Sequence, residues 1–365
     1  MTDATERLPV GDERPQDHET IALSSTSVGR PAAAGPYSGS LALEDPVSIA
    51  QPDLQMTYES GVEMKARSQW AYARIRFFRH RLAVVSLLIL LLFGVIALFP
   101  SFFAPYGYDE IPFTDPAKII ENPNIVTESI NQPPTFKDWH LFGTDQLGRD
   151  FLSRVIFGVR TSLWVALFVA LLSTAIGTTI GAIAGYYGGV TDNLLMRFTD
   201  LILTLPGLAV LLTAAAFFGS GDPTKVALIL AFLFWTGIAR IVRGVFLSLR
   251  EKEYVEAAKA AGASDIRIIM RHMLPNTVGP IVVNATLVVA AAILTEAALS
   301  FLGFGIQPPH PALGALINDG QGEGTKLWWL VTFPGMMIVL IALAINFVGD
   351  GLRDALDPTQ RRIRA

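Results

Sequence analysis

The sequence contains no cysteine, which excludes disulfide bonds, thiolate zinc sites and cysteine nucleophiles. Its five histidines are scattered and form no HExxH-type pair, so we expect no metal site. Charged residues make up only 16% of the 365 residues, whereas an ordinary soluble domain has roughly a quarter. The net charge of −4 gives no reason to expect a nucleic-acid partner.

A nucleotide-binding P-loop is missing as well. Such a loop needs the order GxxxxGK[ST], because its backbone N–H groups must cradle phosphate oxygens. The nearest candidate is Gly320–Lys326, which contains Gly-Thr-Lys without that order. We therefore expect a non-catalytic chain that binds no cofactor of its own.

The sequence contains long runs of apolar residues. The mean hydropathy is +0.44, and a helix that crosses a bilayer core of about 30 Å needs about 20 apolar residues. Six runs meet this requirement, and Pro206 and Gly207 interrupt the third: Leu82–Phe103, Thr161–Tyr187, Leu201–Phe218, Val226–Leu247, Val278–Gly303 and Leu327–Gly349. We predict an all-α, polytopic membrane protein with six transmembrane helices. Gly177, Gly181 and Gly185 recur at a spacing of four and predict close helix packing by the second span.

The two ends of the chain differ from this apolar centre. Residues 1–70 are rich in Pro, Ser, Gly, Ala and acidic residues without an apolar run, so we expect a disordered cytoplasmic tail and no cleavable signal peptide. Residues 71–103 combine a basic helix, expected on the membrane surface, with the first span. A loop at 104–160 follows, then a core domain at 161–350 with five spans and a short tail at 351–365.

Basic residues near the ends of the spans predict the orientation. They cluster at 74–81, within 250–275 and at 361–364, and six spans place all three regions on one side of the membrane. The rule assigns that side to the cytoplasm, together with both termini. The loop at 104–160 leans acidic and would lie outside.

The outer loop contains one amphipathic pattern. In Leu147–Arg160, apolar residues recur at helical spacing and charged residues take the other face. We predict a helix on the outer surface before the second span, with Thr144 or Asp145 as its N-cap. Simple packing onto the bundle and docking of a partner fit this pattern equally well.

The segment between the fourth and fifth spans is polar yet patterned. Helix-favouring alanines follow Glu256, and Gly262 can take the left-handed conformation that ends a helix. A second helix, capped by Ser264 or Asp265, would then run until Pro275 stops it. Its apolar stripe would comprise Ile266, Ile269, Met270 and Met273. A compact helix–turn–helix of this kind suits a groove in a partner protein.

This segment resembles the EAA loop of bacterial ABC-importer permeases. The matching residues are Glu256, Ala257, Ala258, Gly262, Leu274 and Pro275. His272 stands where that pattern usually has isoleucine, and a histidine there is similar to the peptide-importer branch. The resemblance implies that all of these residues, His272 included, couple the chain to an ATPase.

Two further motifs narrow the resemblance. Residues 142–150, Phe-Gly-Thr-Asp-Gln-Leu-Gly-Arg-Asp, look like the signature of the C-type permeases of dipeptide, oligopeptide and nickel importers. Residues 294–305 are similar to the fifth span of that subfamily. The resemblance runs from about Arg74 to the end of the chain and implies the type I ABC importer permease fold.

An assembly is implied by the same resemblance. A homologous B-type permease would share one translocation path with this chain in the bacterial cytoplasmic membrane. Two cytoplasmic ATPases, or one fused ATPase, would bind ATP and Mg²⁺ and grip the EAA loops. An extracytoplasmic peptide-binding protein would deliver the cargo from the other side.

Polar residues inside the spans are few. Two of them are candidates for the pathway or for an inter-subunit contact: Glu296 and Asn284. An ionisable group in a span is costly and often functional, and a paired structural carboxylate is the alternative for Glu296. At the inner ends of the spans, Arg197 and Asp200 predict a local ion pair. Arg240 and Arg243 are expected to reach the lipid headgroups.

Two other functions stay open beside a peptide importer. An ion-coupled secondary transporter usually has polar or charged residues at the bilayer midplane, and these spans are nearly free of them. An importer of nickel or another non-peptide cargo fits the same class of protein. The binding protein, rather than this chain, is expected to decide between those cargoes.

Overall fold

The computed structural model describes residues 69–111, 129–136, 139–219, 221–322 and 324–356. The predicted tail at 1–70, apart from the start of α1, and the end of the predicted tail at 351–365 lie outside these ranges. The described part is helical and contains no strand beyond two isolated bridges. Its helices are α1 (Gln69–Arg79), α2 (Arg81–Leu98), α3 (Pro100–Phe103), α4 (Phe151–Tyr187), α5 (Gly189–Thr204), α6 (Gly207–Phe218), α7 (Pro223–Arg250), α8 (Glu253–Ala260), α9 (Asp265–Phe301), α10 (Leu313–Gln321) and α11 (Trp329–Leu356).

Five of these helices are long and apolar enough to cross a membrane, namely α2, α4, α7, α9 and α11. Helices α5 and α6 pass the same test together, but they are bent by 83° at their junction. The bend lies at Leu205 and Pro206, where the proline has no N–H to continue the hydrogen bonds of α5. The six predicted spans, with an interrupted third one, are therefore present when the bent pair is counted as one span.

The predicted basic helix is α1, which packs against α11. A side chain at Gly351 of α11 would place its Cβ 3.4 Å from Phe77 Cε2. Phe78, next to it, is 61% exposed. One side of α1 therefore lies on the bundle and the other is open, while its location on a membrane surface stays a prediction.

The second span packs against the fourth through its glycines. A side chain at Gly177 would place its Cβ 2.6 Å from the Trp235 carbonyl oxygen, and one at Gly181 would place it 2.5 Å from that of Ala239. Gly185 is held just as tightly against α7. Only the absence of a side chain permits so close an approach, so the predicted close packing is confirmed.

Helix α4 starts well before the apolar run that marks the second span. It begins at Phe151 and continues unbroken to Tyr187, which differs from the separate surface helix predicted in Leu147–Arg160. The apolar side of that stretch packs into the main core of the protein. No proline interrupts residues 151–160, so the amphipathic stretch and the apolar span form one helix.

The loop before α4 closes this end of the bundle, and we call its described residues, 129–136 and 139–150, the cap. Asp150, rather than the predicted Thr144 or Asp145, is the N-cap of α4, because its carboxylate accepts a hydrogen bond from Ser153 N at 2.7 Å. His140 Nδ1 lies 2.9 Å from the same carboxylate. The start of α4 is thus held by the loop that leads into it.

A buried ion cluster lies at the centre of the cap. Asp145 is 4% exposed and accepts from Arg149 Nε at 2.8 Å and from Arg154 Nη1 at 2.7 Å. Arg154 also reaches Asp319 of α10 at 3.4 Å. The polar face of the predicted surface helix is therefore satisfied by carboxylates of the protein.

Candidate coupling site

Residues 251–275, which we call the coupling segment, form the predicted helix–turn–helix. After α8 the chain turns at Gly262, which takes the left-handed conformation with a φ of +77°. Gly262 N donates to Lys259 O at 2.9 Å, and Ala263 N donates to Ala258 O at 3.1 Å. These two bonds are the Schellman arrangement that ends a helix. The glycine turn is confirmed.

The second helix differs from the prediction that Pro275 stops it. Helix α9 starts at Asp265, passes through a π-helical turn at Ile268–Met273 and continues as an α-helix to Phe301. Hydrogen bonds in a π-helical turn reach one residue further back than in an α-helix. Pro275 falls in the first turn of the α-helical part that follows, where a missing N–H is tolerated.

The π-helical turn also divides the predicted apolar stripe. Ile268 and Met273, five residues apart, are fully buried, and Ile269 is half-buried. Ile266 and Met270 are 73% and 58% exposed. The additional residue in the turn shifts the phase of the side chains, so that part of the stripe packs inward and the rest faces outward.

An apolar cluster, called here the anchoring cluster, attaches the coupling segment to the bundle. From the segment it contains Val255, Ile268 and Met273, all fully buried. From the spans it contains Ala182 and Tyr186 of α4, Ile238, Val242 and Phe246 of α7, and Ile281 of α9. Full burial of one large apolar side chain is worth roughly 1.5–3 kcal/mol. The segment is therefore fixed to α4 and α7 as well as being continuous with α9.

The predicted coupling residues are divided between two faces of the segment. The exposed ones are Glu256, Ala257, Gly262 and Pro275. Ala258 and Leu274 are half-buried and pack against the anchoring cluster. His272 is half-buried, and its carbonyl accepts from Asn276 Nδ2 at 2.7 Å.

Exposed apolar side chains extend the outer face. Ile266 and Met270 are joined there by Tyr254, which is 41% exposed. Sequence reasoning missed Tyr254, although a lone aromatic residue in an alanine-rich helix is a signal. A face with a carboxylate, small alanines and protruding apolar groups is of the kind that docks into a groove.

Glu296 lies inside the bundle and has no exposed surface. Ser162 Oγ of α4 donates to its Oε2 at 2.8 Å, and Ser300 Oγ of α9 donates to its Oε1 at 2.7 Å. Each carboxylate oxygen thus has a hydroxyl donor, as a buried polar group requires. This geometry fits the alternative of a structural carboxylate that joins α4 to α9.

Asn284 lies at a cavity of about 680 Å³. The cavity is open and is lined by the end of α5 together with α6, α7 and α9. Among the described residues, its other polar lining residues are Thr236 and Thr295. Asn284 Nδ2 donates to Pro280 O at 2.8 Å, so the amide is tied to its own helix. Its role in a pathway or a subunit contact stays a prediction.

The arginines of α7 pair with aspartates of α5. Arg243 donates through Nε and Nη2 to both oxygens of Asp192 at 2.6 Å, and Arg240 Nη2 donates to Asp200 Oδ1 at 2.5 Å. The predicted pair of Arg197 with Asp200 is therefore wrong, because Asp200 pairs with Arg240 instead. The headgroup contacts predicted for Arg240 and Arg243 stay a prediction. The partners lie 40 and 51 residues apart in the chain, which local spacing does not reveal.

These spans and their close packing define a polytopic membrane protein whose described part is helical, and known proteins are similar to it in sequence. Residues 177–362 match the family described as binding-protein-dependent transport system inner membrane component. Residues 68–134 match the family described as the N-terminal TM domain of oligopeptide transport permease C.

Individual relatives match most of the chain. The oligopeptide transport system permease protein OppC of Haemophilus influenzae is 39% identical over 82% of this chain and 92% of its own length. OppC of Mycobacterium tuberculosis is 42% identical over 79% of this chain and 94% of its own. OppC of Escherichia coli is 39% identical over 83% of this chain and 96% of its own. A solved chain of the MetNI methionine ABC transporter in an inward-facing conformation has a TM-score of 0.46 at 18% identity, covering 57% of this chain and 98% of that one.

The chain belongs to the family of binding-protein-dependent transport system inner membrane components, and within it to the C-type permeases of ABC importers. Members of this family span the inner membrane several times and hydrolyse no ATP themselves. The chain is accordingly a multi-pass inner-membrane protein and a non-catalytic subunit.

Proposed function

We propose that this chain is the permease subunit of an ATP-driven, binding-protein-dependent importer of di- and oligopeptides. A homologous B-type permease completes the translocation path. Two ATPase subunits, or one fused ATPase, bind ATP and Mg²⁺, and an extracytoplasmic peptide-binding protein delivers the cargo. In this arrangement the coupling segment and both termini lie in the cytoplasm.

The observation that carries this proposal is the two-sided coupling segment. Its outer face exposes Glu256, Tyr254, Ile266 and Met270 beside small alanines, while its inner face is buried in the anchoring cluster. A force applied to the outer face therefore acts on a segment that is packed against α4 and α7. That is the connection which a soluble motor needs in order to move membrane spans.

Peptide cargo is supported by the relatives, which are oligopeptide permeases, and by the cavity at Asn284. The walls of that cavity are almost entirely apolar. Such walls offer few directional hydrogen bonds, and they would therefore accept peptides of varied sequence rather than one polar ligand.

A charge placed at Gly262 tests the coupling site. A Cβ built at Gly262 has nothing within 4 Å, and aspartate tolerates the left-handed conformation better than most residues. Gly262→Asp should therefore fold and alter only the exposed face. We expect co-purification with the ATPases and ATP-driven uptake of a labelled mixture of short peptides to fall at least about tenfold, which corresponds to about 1.4 kcal/mol at the contact.

The matched control is Gly324→Asp. Gly324, between α10 and α11, also has a positive φ, of +60°, and nothing within 4 Å of a built Cβ, and it lies away from the coupling segment. Normal uptake by Gly262→Asp would contradict the proposal. Uptake that persists without ATP hydrolysis would indicate an ion-coupled transporter. Uptake of Ni²⁺ instead of peptides would contradict the assignment of peptides as the cargo.

A further inference from the structure

Tyr186 is the residue of α4 at which three other helices meet. It is next to the end of α4, is 7% exposed and belongs to the anchoring cluster. Its hydroxyl donates to Asp265 Oδ1 at 2.7 Å, and Lys259 Nζ lies 5.6 Å from the centroid of its ring. Arg250 Nη1 donates to its backbone carbonyl at 3.4 Å. One residue therefore contacts the end of α7, the end of α8 and the start of α9.

Two of these contacts lie on either side of the glycine turn. Lys259 is in the last turn of α8, and Asp265 is the first residue of α9. The ring of Tyr186 attracts the ammonium group, and its hydroxyl binds the carboxylate. Both arms of the helix–turn–helix are thus held against α4, and a movement of the coupling segment away from α4 would break these contacts.

The hydroxyl contact is a strong one for a single side chain. A hydrogen bond from a hydroxyl to a carboxylate is shorter and stronger than a bond between neutral groups. Ser264, at the N-cap position of α9, makes no side-chain capping bond. At this helix start, the side chain of Asp265 accepts a hydrogen bond from Tyr186 of another span.

Arg250 keeps the end of α4 in place beneath this contact. A side chain at Gly188, where φ is +65°, would place its Cβ 2.6 Å from Arg250 Nη1. The guanidinium thus occupies the space beside the glycine and reaches a carbonyl in the last turn of α4, where a cation is favourable. Tyr186 consequently presents its hydroxyl from a helix end that is itself fixed to α7.

We propose that Tyr186 is a positioning residue of the importer. Through its hydroxyl it makes the end of α4 follow the coupling segment when the ATPases move that segment. The inference rests on the proposed function and adds to it a specific connection between the docking face and the second span. If Tyr186 served only to pack in the anchoring cluster, its ring would be enough. A variant that lacks only the hydroxyl therefore distinguishes a positioning role from a packing role.

The test uses the complete importer in proteoliposomes, with ATP hydrolysis and uptake of the labelled peptide mixture measured together. Tyr186→Phe keeps the ring and removes the hydroxyl. We expect the number of peptides transported per ATP hydrolysed to fall on the order of tenfold. A fold-change of this size corresponds to the free energy that one hydrogen bond to a charged group can contribute. The amount of ATPase bound to the complex should not change, because the docking face is untouched.

Tyr187→Phe is the matched control, because it removes a tyrosine hydroxyl one residue away. Tyr187 is 52% exposed. Asp265→Ala should reproduce the loss seen in Tyr186→Phe, whereas Asp265→Asn, which keeps an acceptor oxygen but not the charge, should lose less coupling than Asp265→Ala. The double variant Tyr186→Phe/Asp265→Ala should be no worse than either single one. Additive losses, or a Tyr186→Phe variant that behaves like Tyr187→Phe, would overturn the inference.

The Gly262→Asp variant separates this inference from the proposed function. If Gly262→Asp uncouples the importer and Tyr186→Phe does not, only the role of Tyr186 fails. If Gly262→Asp has no effect either, the coupling segment is not the docking site and the proposed function fails with it.

Discussion

The cap and the coupling segment lie at opposite ends of α4 and are held by opposite kinds of contact. In the cap, Asp145 accepts hydrogen bonds from the side chains of Arg149 and Arg154 in a buried cluster. In the coupling segment, Ile268 and Met273 are buried in an apolar cluster, and polar contacts to α4 are concentrated at one residue, Tyr186.

This difference predicts which end of α4 moves more easily. Hydrogen-bonded ion pairs are directional, and a buried charge that loses its partner is costly, so the cap has one favourable arrangement. Apolar contacts are not directional, so the coupling segment can shift as a body and repack. On the proposed function, the segment receives the movement while the cap keeps the other end of α4 in place.

The largest effect should come from removing the charge at the centre of the cap. Asp145→Asn keeps the shape of the side chain but leaves the buried Arg154 without its closest carboxylate, at a cost of roughly 3–5 kcal/mol. Thermal unfolding of the purified protein in detergent would measure the loss. Asp200→Asn is the control, because Asp200 and Arg240 are 52% and 53% exposed and such a pair is worth no more than about 1 kcal/mol. Equal losses would show that the cap is no more rigid than the surface.

An intermediate effect is expected where α4 is packed between its two ends. Gly181→Ala would force a methyl group against the Ala239 carbonyl oxygen, at a cost of roughly 1–3 kcal/mol for overpacking. The matched control is Gly244→Ala on α7, since a Cβ built at Gly244 has nothing within 4 Å. In the same thermal unfolding measurement, Gly181→Ala should unfold at a clearly lower temperature than Gly244→Ala. If both variants unfold together, the contact between α4 and α7 is looser than the structure indicates.

The smallest effect should come from an apolar exchange in the anchoring cluster. Met273→Leu is close to conserving volume, and we expect it to cost less than about 1.5 kcal/mol, because a non-directional cluster can repack. Met273→Ala, which leaves a cavity, should cost roughly 2–5 kcal/mol. A Met273→Leu variant as unstable as Asp145→Asn would remove the distinction between the two ends of α4.

Much of this architecture follows from features that are local in the chain. The spans follow from runs of apolar residues, and the bend between α5 and α6 follows from Pro206. The turn at Gly262 follows from the freedom of glycine to adopt a positive φ. Each of these depends on a residue and its near neighbours, so sequence reasoning finds them.

The predictions that were wrong, or from which the structure differs, needed contacts between distant residues or a change of helical register. Asp200 pairs with Arg240, which is 40 residues away, rather than with the nearby Arg197. The expected stop at Pro275 and the expected apolar stripe both assumed α-helical spacing, which the π-helical turn at Ile268–Met273 does not keep. Helical periodicity assumes a constant number of residues per turn, and it cannot show where that number changes.

By itself the sequence determined that this is a membrane-spanning permease and where the helix–turn–helix proposed to couple it to an ATPase lies, because hydropathy, glycine turns and a short motif are readable along the chain. Only the tertiary structure decided which face of that segment is outward, that Glu296 is enclosed between Ser162 and Ser300, and that Tyr186 joins α4 to Asp265. These outcomes depend on residues that lie far apart in the chain and meet only after the helices pack. Burial and pairing are properties of that packing, and no local pattern encodes them.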